Sequence, residues 1–424
     1  MKRIKIDNTD EYIYIDKLNN GFEVYMLPNY NVNKFYITLN TKYGSINTKF
    51  KAGGKEYDMP KGIAHFLEHL SFNMPDESVF DHYSKIGSSI NAFTTYDLTS
   101  YNVSSNSRFK ENLEYLIKYV YTPYFTKELF ANEKGVILEE VKMYKDNPGT
   151  NIVNGVLNNL FVKDERKYLV GGTVKDVKDI KLEDIEVCYD AFYNPSNMFI
   201  VITGNFKVEE ALAIIKDGMS KLEDRKELDI KKIFPKEPAK VSKDYEEIMM
   251  NIDKPKISMG IKISKDSFKS LKLEDFLIKM YLEVLLKINF GNTSLLVEEL
   301  KMGNITDDLD YSILESEEYF VIIFLASSFY PDYLKDKLLE KLENLEVEDA
   351  DLDRIKKVAI SDYILLFDSI VSVNNYIIDE VIDNNKFNNN LVPIYRALDI
   401  EIAKKILKKI NTNNMTVFKV LPKK

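Results

Sequence analysis

The chain has 424 residues, 45% hydrophobic and 29% charged, with a net charge of −9 and lysines scattered among acids. Such a chain is too long for one ordinary core and suits a soluble protein of two domains; it lacks the clustered basic side chains that a nucleic-acid surface needs. The single cysteine, Cys188, permits no internal disulfide and reads as a small core residue, and no apolar run approaches a membrane span, so a reducing, cytoplasmic setting without membrane contact is expected.

The N-terminal ten residues are charged but lead into no apolar segment, so no targeting signal is read there. The first chemistry lies at Gly62-Ile-Ala-His-Phe-Leu-Glu-His-Leu70. His65 and His69 are four apart, which puts both imidazoles on one helical face, and Glu68 projects near the same patch. This is a divalent-metal arrangement, with zinc the expected ion. The remaining histidine, His82, has no such company and reads as an ordinary surface residue. Ile90 to Thr94 and Ser100 to Ser105 read as strands, and Leu113, Leu116, Ile117 and Val120 repeat at helical spacing.

A catalytic zinc usually takes three protein ligands and keeps a fourth position open, so two histidines leave the set one short. The candidates lie in Ala131 to Pro148, where Val136, Ile137, Val141 and Tyr144 suit a second amphipathic helix. Glu133 and Glu140, seven apart, share one face; Glu139 points elsewhere, but spacing alone does not exclude it. Any one of these acids, taken singly, is as readily part of a solvated helix face. Glu68 sits between two ligands and suits proton transfer instead. It would take a proton from zinc-bound water, whose pKa the metal lowers towards ~7, and deliver it to a leaving amine. Metal-assisted amide hydrolysis is the expected reaction.

Lys221 to Pro238 is charge-rich, ends in two prolines and reads as a linker; the expected division is 1–225, a linker at 226–245, and 246–424. The second half echoes the first. Tyr319 to Leu325 and then Leu334, Leu338, Leu339 and Leu342 repeat the strand and helix at Ser100 and Leu113. Ile185 to Tyr189 leading to Phe199–Thr203 recurs as Ile402 to Ile406 leading to Thr416–Val420, at an offset of about 217 residues. The fold class expected is α+β: two homologous domains, each an antiparallel sheet packed with helices. Near Met280 to Lys287, where the metal helix should recur, there is no histidine. That half is expected to be structural or substrate-enclosing.

His65-Phe-Leu-Glu-His69, followed about seventy positions later by Glu133 and Glu140 in a Glu-Lys-Gly-Val-Ile-Leu-Glu-Glu run, resembles the pitrilysin/insulinase metallopeptidases, the inverzincins. The resemblance implies a zinc metalloendopeptidase with one Zn2+ per chain on His65, His69 and Glu140, Glu68 as general base and Glu133 as a supporting acid. Glu140 is preferred to Glu139 on the resemblance, not on spacing. Asn91-Ala-Phe-Thr94, leading to Asp97 and Tyr101, looks like the family strand beside the metal, so Asn91, Ala92 and Phe93 are expected to bind an extended peptide through its main chain. Tyr43-Gly-Ser45 and Tyr121-Thr-Pro-Tyr-Phe125 also look familial, and bacterial processing-type subunits are the best fit.

Relatives often carry, in a non-zinc domain, an arginine followed seven residues later by a tyrosine that steadies the substrate carbonyl. Aligned on Gly303, those positions hold Glu299 and Thr306, which cannot do that work. The resemblance therefore implies half of a two-chain clamshell: a non-identical paralogous subunit supplies the Arg/Tyr pair, with a homodimer as runner-up. The linker would serve as hinge to a chamber that admits short or unfolded peptides. The alternative is a non-catalytic peptide-binding or assembly subunit that retains the metal motif.

Overall fold

The structure is a computed structural model that describes residues 1–222 and 229–423. The boundary expected at 225 and the first residues of the expected linker, 226–228, lie outside the described residues.

The strands, of which the central ones β4, β9, β12 and β14 are rich in β-branched and aromatic residues, are β1 (Lys2–Lys5), β2 (Tyr12–Lys17), β3 (Glu23–Pro28), β4 (Phe35–Thr41), β5 (Lys49–Ala52), β6 (Lys55–Asp58), β7 (Ser89–Thr94), β8 (Thr99–Ser105), β9 (Met198–Gly204), β10 (Lys231–Lys232), β11 (Tyr245–Met250), β12 (Lys256–Ser264), β13 (Asp310–Glu315), β14 (Tyr319–Ser327) and β15 (Met415–Pro422). The longer helices between them include α1 (Ile63–Leu70), α2 (Phe109–Val120), α3 (Lys127–Asp146), α4 (Pro148–Leu160), α5 (Leu182–Phe192), α6 (Asp275–Phe290), α7 (Leu295–Met302), α8 (Pro331–Glu343), α9 (Ile370–Asn384) and α10 (Ile400–Leu407). Among the described residues no helix is long and apolar enough to cross a membrane.

The chain divides into two compact units. One comprises Met1–Val141, Leu169–Ile233 and Tyr363–Leu391. Its main sheet runs β1-β2-β3-β9-β4-β8-β7, antiparallel except for the β3/β9 pair. The central strands β4 and β9 are buried along their whole length, as a sheet covered on both faces requires. Ile37, Leu39, Ile200 and Ile202 join Phe66, Leu67, Leu113, Leu116 and Phe192 in one core. Alternation turns Thr38, Val201 and Thr203 to the opposite face, where α9 lies. There Asn374 accepts from Thr38 Oγ1 (2.9 Å) and donates to Val201 O (3.2 Å) and Thr203 Oγ1 (3.3 Å). A smaller sheet, β10-β5-β6, completes this unit.

The other unit comprises Lys142–Tyr168, Phe234–Asp362 and Val392–Lys424. Its sheet runs β11-β15-β12-β14-β13, with β11 and β15 parallel and the other pairs antiparallel. This repeats β3-β9-β4-β8-β7 strand for strand, including the place of the parallel pair, in agreement with the duplication read from the sequence. Ile257, Met259 and Ile261 of β12 pack with Leu282, Leu285, Leu334 and Leu338. α4 covers this sheet so closely that a Cβ on Gly155 would meet the Phe418 ring at 2.3 Å. Each sheet thus takes one covering helix from the opposite half of the sequence: α9 comes back to the first and α4 goes forward to the second.

Glu237, within the segment read from the sequence as a linker, is buried in this second unit. It accepts backbone N–H bonds from Val162 (2.9 Å), Lys163 (2.7 Å) and Asp164 (2.9 Å). Lys262 donates to it at 2.9 Å and to the carbonyls of Leu160, Pro238 and Lys240 at 3.0, 2.9 and 3.2 Å. Their side chains are only 0% (Lys262) and 3% (Glu237) exposed. A buried charge pair persists when its remaining donors and acceptors are satisfied in this way.

Candidate metal centre

α1 starts at Gly62, whose φ of +84° and approach to Gly171 O, 2.3 Å from where a Cβ would stand, leave room for glycine alone. Ile63, Phe66, Leu67 and Leu70 anchor the helix in the core. The Phe66 ring stacks on Phe130 of α3 with centroids 4.8 Å apart, a direct contact between the two helices. α3 is held by Ile137 and Val141; Val136, expected to be buried, is exposed. Its apolar stripe is therefore narrower than the sequence suggests, leaving the acidic side of α3 against the histidines.

The His65 and His69 ring centroids are 4.6 Å apart. Glu140 Oε2 lies 3.8 Å from His65 Nε2 and 3.4 Å from His69 Nε2, while Glu133 Oε2 lies 3.4 Å from His69 Nδ1. One donor atom from each of His65, His69 and Glu140 falls within 4.8 Å of the others. A tetrahedral ion with bonds near 2.0–2.1 Å spaces its ligands by roughly 3.3 Å, so two imidazoles and a carboxylate at these separations fit such an ion after small adjustments. Glu139, adjacent on α3, is not part of the cluster. Glu133 meets the far nitrogen of His69, the position from which a carboxylate orients a metal-binding imidazole.

Burial, with the neighbouring His69, pushes the His65 imidazole down to about 4, against the pull of Glu140. Burial also acts downward on His69, but its hydrogen bonds to Glu133 and Glu140 prevail and raise it to about 9. Near neutrality His65 is ready to bind a cation, whereas His69 must first give up a proton. In protein stripped by a chelator, metal uptake at pH 7 is therefore expected to release about one proton, with affinity rising about tenfold per pH unit until roughly pH 9. Calorimetry in buffers of different ionisation enthalpy measures this, and release near zero would contradict it. The same displacement stabilises the stripped fold fully below the ordinary imidazole value of 6.5, and that contribution fades as pH rises through about 9.

Glu68 is buried, which raises its carboxyl above the ordinary value, while a hydrogen bond from Thr94 and the nearby His69 oppose the shift. β7 is the edge strand of its sheet, paired on one side with β8. Of the expected peptide-binding residues, Asn91 and Phe93 are exposed and Ala92 is half-buried; Asn91 Oδ1 accepts from the Ala92 N–H at 2.9 Å. Thr94 belongs to the other face and donates to Glu68 Oε2 at 2.6 Å, a link that the sequence reading missed. The period-two alternation of Ile90, Ala92 and Thr94 was the available signal.

His82 is more built-in than expected: its ring stacks on Tyr115 at 3.5 Å and Nδ1 lies 3.0 Å from Glu77 Oε1. In the second unit, Glu299 is exposed on α7 with Lys337 at 3.3 Å. Thr306 is buried, its hydroxyl directed to Asp308 Oδ1 (2.7 Å) and Ser327 O (2.9 Å), so it serves a turn.

Residues 40–169 match the family model of insulinase, peptidase family M16, and residues 179–358 match that of the peptidase M16 inactive domain. The uncharacterized zinc protease YmfH of Bacillus subtilis is 32% identical over 431 residues, covering 100% of each chain. The zinc protease PqqE of Helicobacter pylori is 24% identical, covering 87% of this chain and 83% of its own. Among solved structures, an M16-like protein of Alicyclobacillus acidocaldarius has a TM-score of 0.92 at 24% identity, over 98% of this chain and 99% of that one. Pitrilysin has a TM-score of 0.77 at 16% identity, over 100% of this chain and 46% of that one.

Proposed function

The chain belongs to the insulinase family of peptidases, M16, and from that membership we propose that it is a zinc metalloendopeptidase acting on short or unfolded peptides. The observation that carries the reading is the convergence of His65, His69 and Glu140 donors within 4.8 Å, with the Glu68 carboxylate one residue from His69. His65, His69 and Glu140 would hold the ion. When bound, zinc supplies a Lewis acid that polarises a carbonyl and lowers the pKa of water at its open position.

Glu68 accepts a proton as water adds to the scissile carbonyl carbon and returns it to the amine nitrogen as the C–N bond breaks. Burial makes its ionised carboxylate more basic than an exposed one, against the opposing pull of Thr94 and His69, which suits a group that must take a proton and hold it between the two steps. Glu133 fixes the His69 ring through Nδ1 and leaves Nε2 turned towards Glu140. The free edge of β7 pairs with an extended peptide at Asn91, Ala92 and Phe93, giving affinity through main-chain bonds that many sequences can make.

The second half matches an inactive-domain model, and Glu299 and Thr306 are engaged with Lys337, Asp308 and Ser327. These observations support a two-chain enzyme whose paralogous partner carries the Arg/Tyr pair. The free, buried Cys188 supports a reducing, cytoplasmic site of action. Quenched fluorogenic peptides, assayed with the chain alone and with a paralogous chain, before and after chelation, test the reading. Zinc-dependent cleavage that needs the second chain is expected. Full activity of the chain alone, with Glu299 and Thr306 dispensable, would end the two-chain proposal, and cleavage indifferent to chelation would end the metallopeptidase proposal.

A further inference from the structure

We propose that Thr94 is a positioning residue for Glu68: its hydroxyl holds Oε2 and leaves Oε1 as the oxygen that takes and returns the proton. The inference rests on the reading of Glu68 as general base. Thr94 Oγ1 lies 2.6 Å from Glu68 Oε2. An ionised carboxylate only accepts, so the hydroxyl is the donor, and the separation is that of a charge-assisted bond.

The hydroxyl is itself held in place. In the β7/β8 register Thr94 stands opposite Thr99, and the two Oγ1 atoms are 3.4 Å apart. Thr99 is fully buried and donates its own proton to Tyr43 O at 2.9 Å. Of the two acceptors within reach of Thr94, the carboxylate is both nearer and charged, so the Thr94 proton goes there.

The terminal torsion of a glutamate is broad and roughly two-fold, so an untethered carboxylate samples many orientations. With Oε2 engaged, Oε1 is the free oxygen. As water attacks, its O–H bond breaks, the proton passes to Oε1 and the oxygen bonds the carbonyl carbon. As the C–N bond breaks, the proton leaves Oε1 for the amine nitrogen and Glu68 is ionised again. Because Thr94 and the peptide-pairing residues Asn91 to Phe93 share one strand, β7 fixes the path of the peptide and the orientation of the base together.

Thr94→Val keeps the shape and removes the donor; Thr94→Ser keeps the donor and removes a methyl. In whichever assembly turns over, chain alone or with its partner, Thr94→Val is expected to lower kcat about 10- to 100-fold with KM within about twofold and one zinc retained, and Thr94→Ser to stay within about threefold of wild type. A crystal structure of zinc-loaded Thr94→Val is expected to show the Glu68 carboxylate rotated. Wild-type kcat in Thr94→Val, an unmoved carboxylate, or equal impairment of the two variants would overturn the proposal. Should Thr94→Val not fold, Thr94→Ala is judged by the same criteria. Glu68→Gln, measured in parallel, separates the two readings. If that variant turns over normally, the general base is wrong and the tether loses its purpose; if it is inactive while Thr94→Val is fully active, the Thr94 proposal alone fails.

Discussion

Glu68→Gln is expected to reduce peptide turnover about 10²- to 10⁴-fold while one zinc per chain remains bound. Glutamine has the same shape and can still receive the Thr94 hydrogen bond through its amide oxygen, but it cannot carry a proton between water and amine. Neither histidine nor Glu140 is altered, so metal content, read by elemental analysis, is expected to stay at the wild-type value. Unchanged turnover would refute the general-base role. Loss of zinc along with turnover would mean that Glu68 helps to hold the ion. A peptide-capture subunit that does not cut would bind peptides identically in both forms, which separates that alternative from an enzyme.

The largest effect on stability is expected at Lys262. Replacing it with methionine leaves Glu237 in a dry site with its three backbone donors but no countercharge. Breaking a buried pair in this way costs about 3–5 kcal/mol, whereas replacing both partners is often close to neutral. Urea denaturation is therefore expected to show a severe loss for Lys262→Met and partial recovery on adding Glu237→Gln. A loss below about 1 kcal/mol, the size of an exposed pair, would show that the site is wet. The pair ties Val162, Lys163 and Asp164, which follow α4, to β12 and to Pro238 and Lys240, so its loss is expected to loosen α4 before the helices of the core.

The proximity of His65 and His69 was the most legible feature of the sequence because helical periodicity converts a four-residue spacing directly into proximity. His65 and His69 needed no tertiary information to meet. Glu140 did: it and Glu139 are neighbours in sequence, and only the seating of α3 on the core through Phe130, Ile137 and Val141 distinguishes the one that joins the imidazoles. The strand order of the second unit was foreshadowed by the repeat, since the same alternation of strand and helix recurs.

Other features left weaker traces. Val136 looks apolar enough for a core stripe and is exposed, while α3 is seated by Phe130, Ile137, Leu138 and Val141. Glu237 lies in a run of charges, and a sequence cannot tell a solvated acid from one that meets Lys262 in a dry sheet. The exchange of α4 and α9 was invisible for a related reason: periodicity records that a helix has an apolar face, not which sheet will cover it.

That exchange has a consequence for dissection of the gene. The polypeptide changes unit at 141/142, 168/169, 233/234, 362/363 and 391/392, so a stop codon between the apparent halves would strand α4 away from Phe418 and deprive Thr38 and Thr203 of Asn374. Split fragments are expected to need each other to rebuild both cores, and neither fragment by itself is a sound vehicle for studying the cluster of His65, His69 and Glu140.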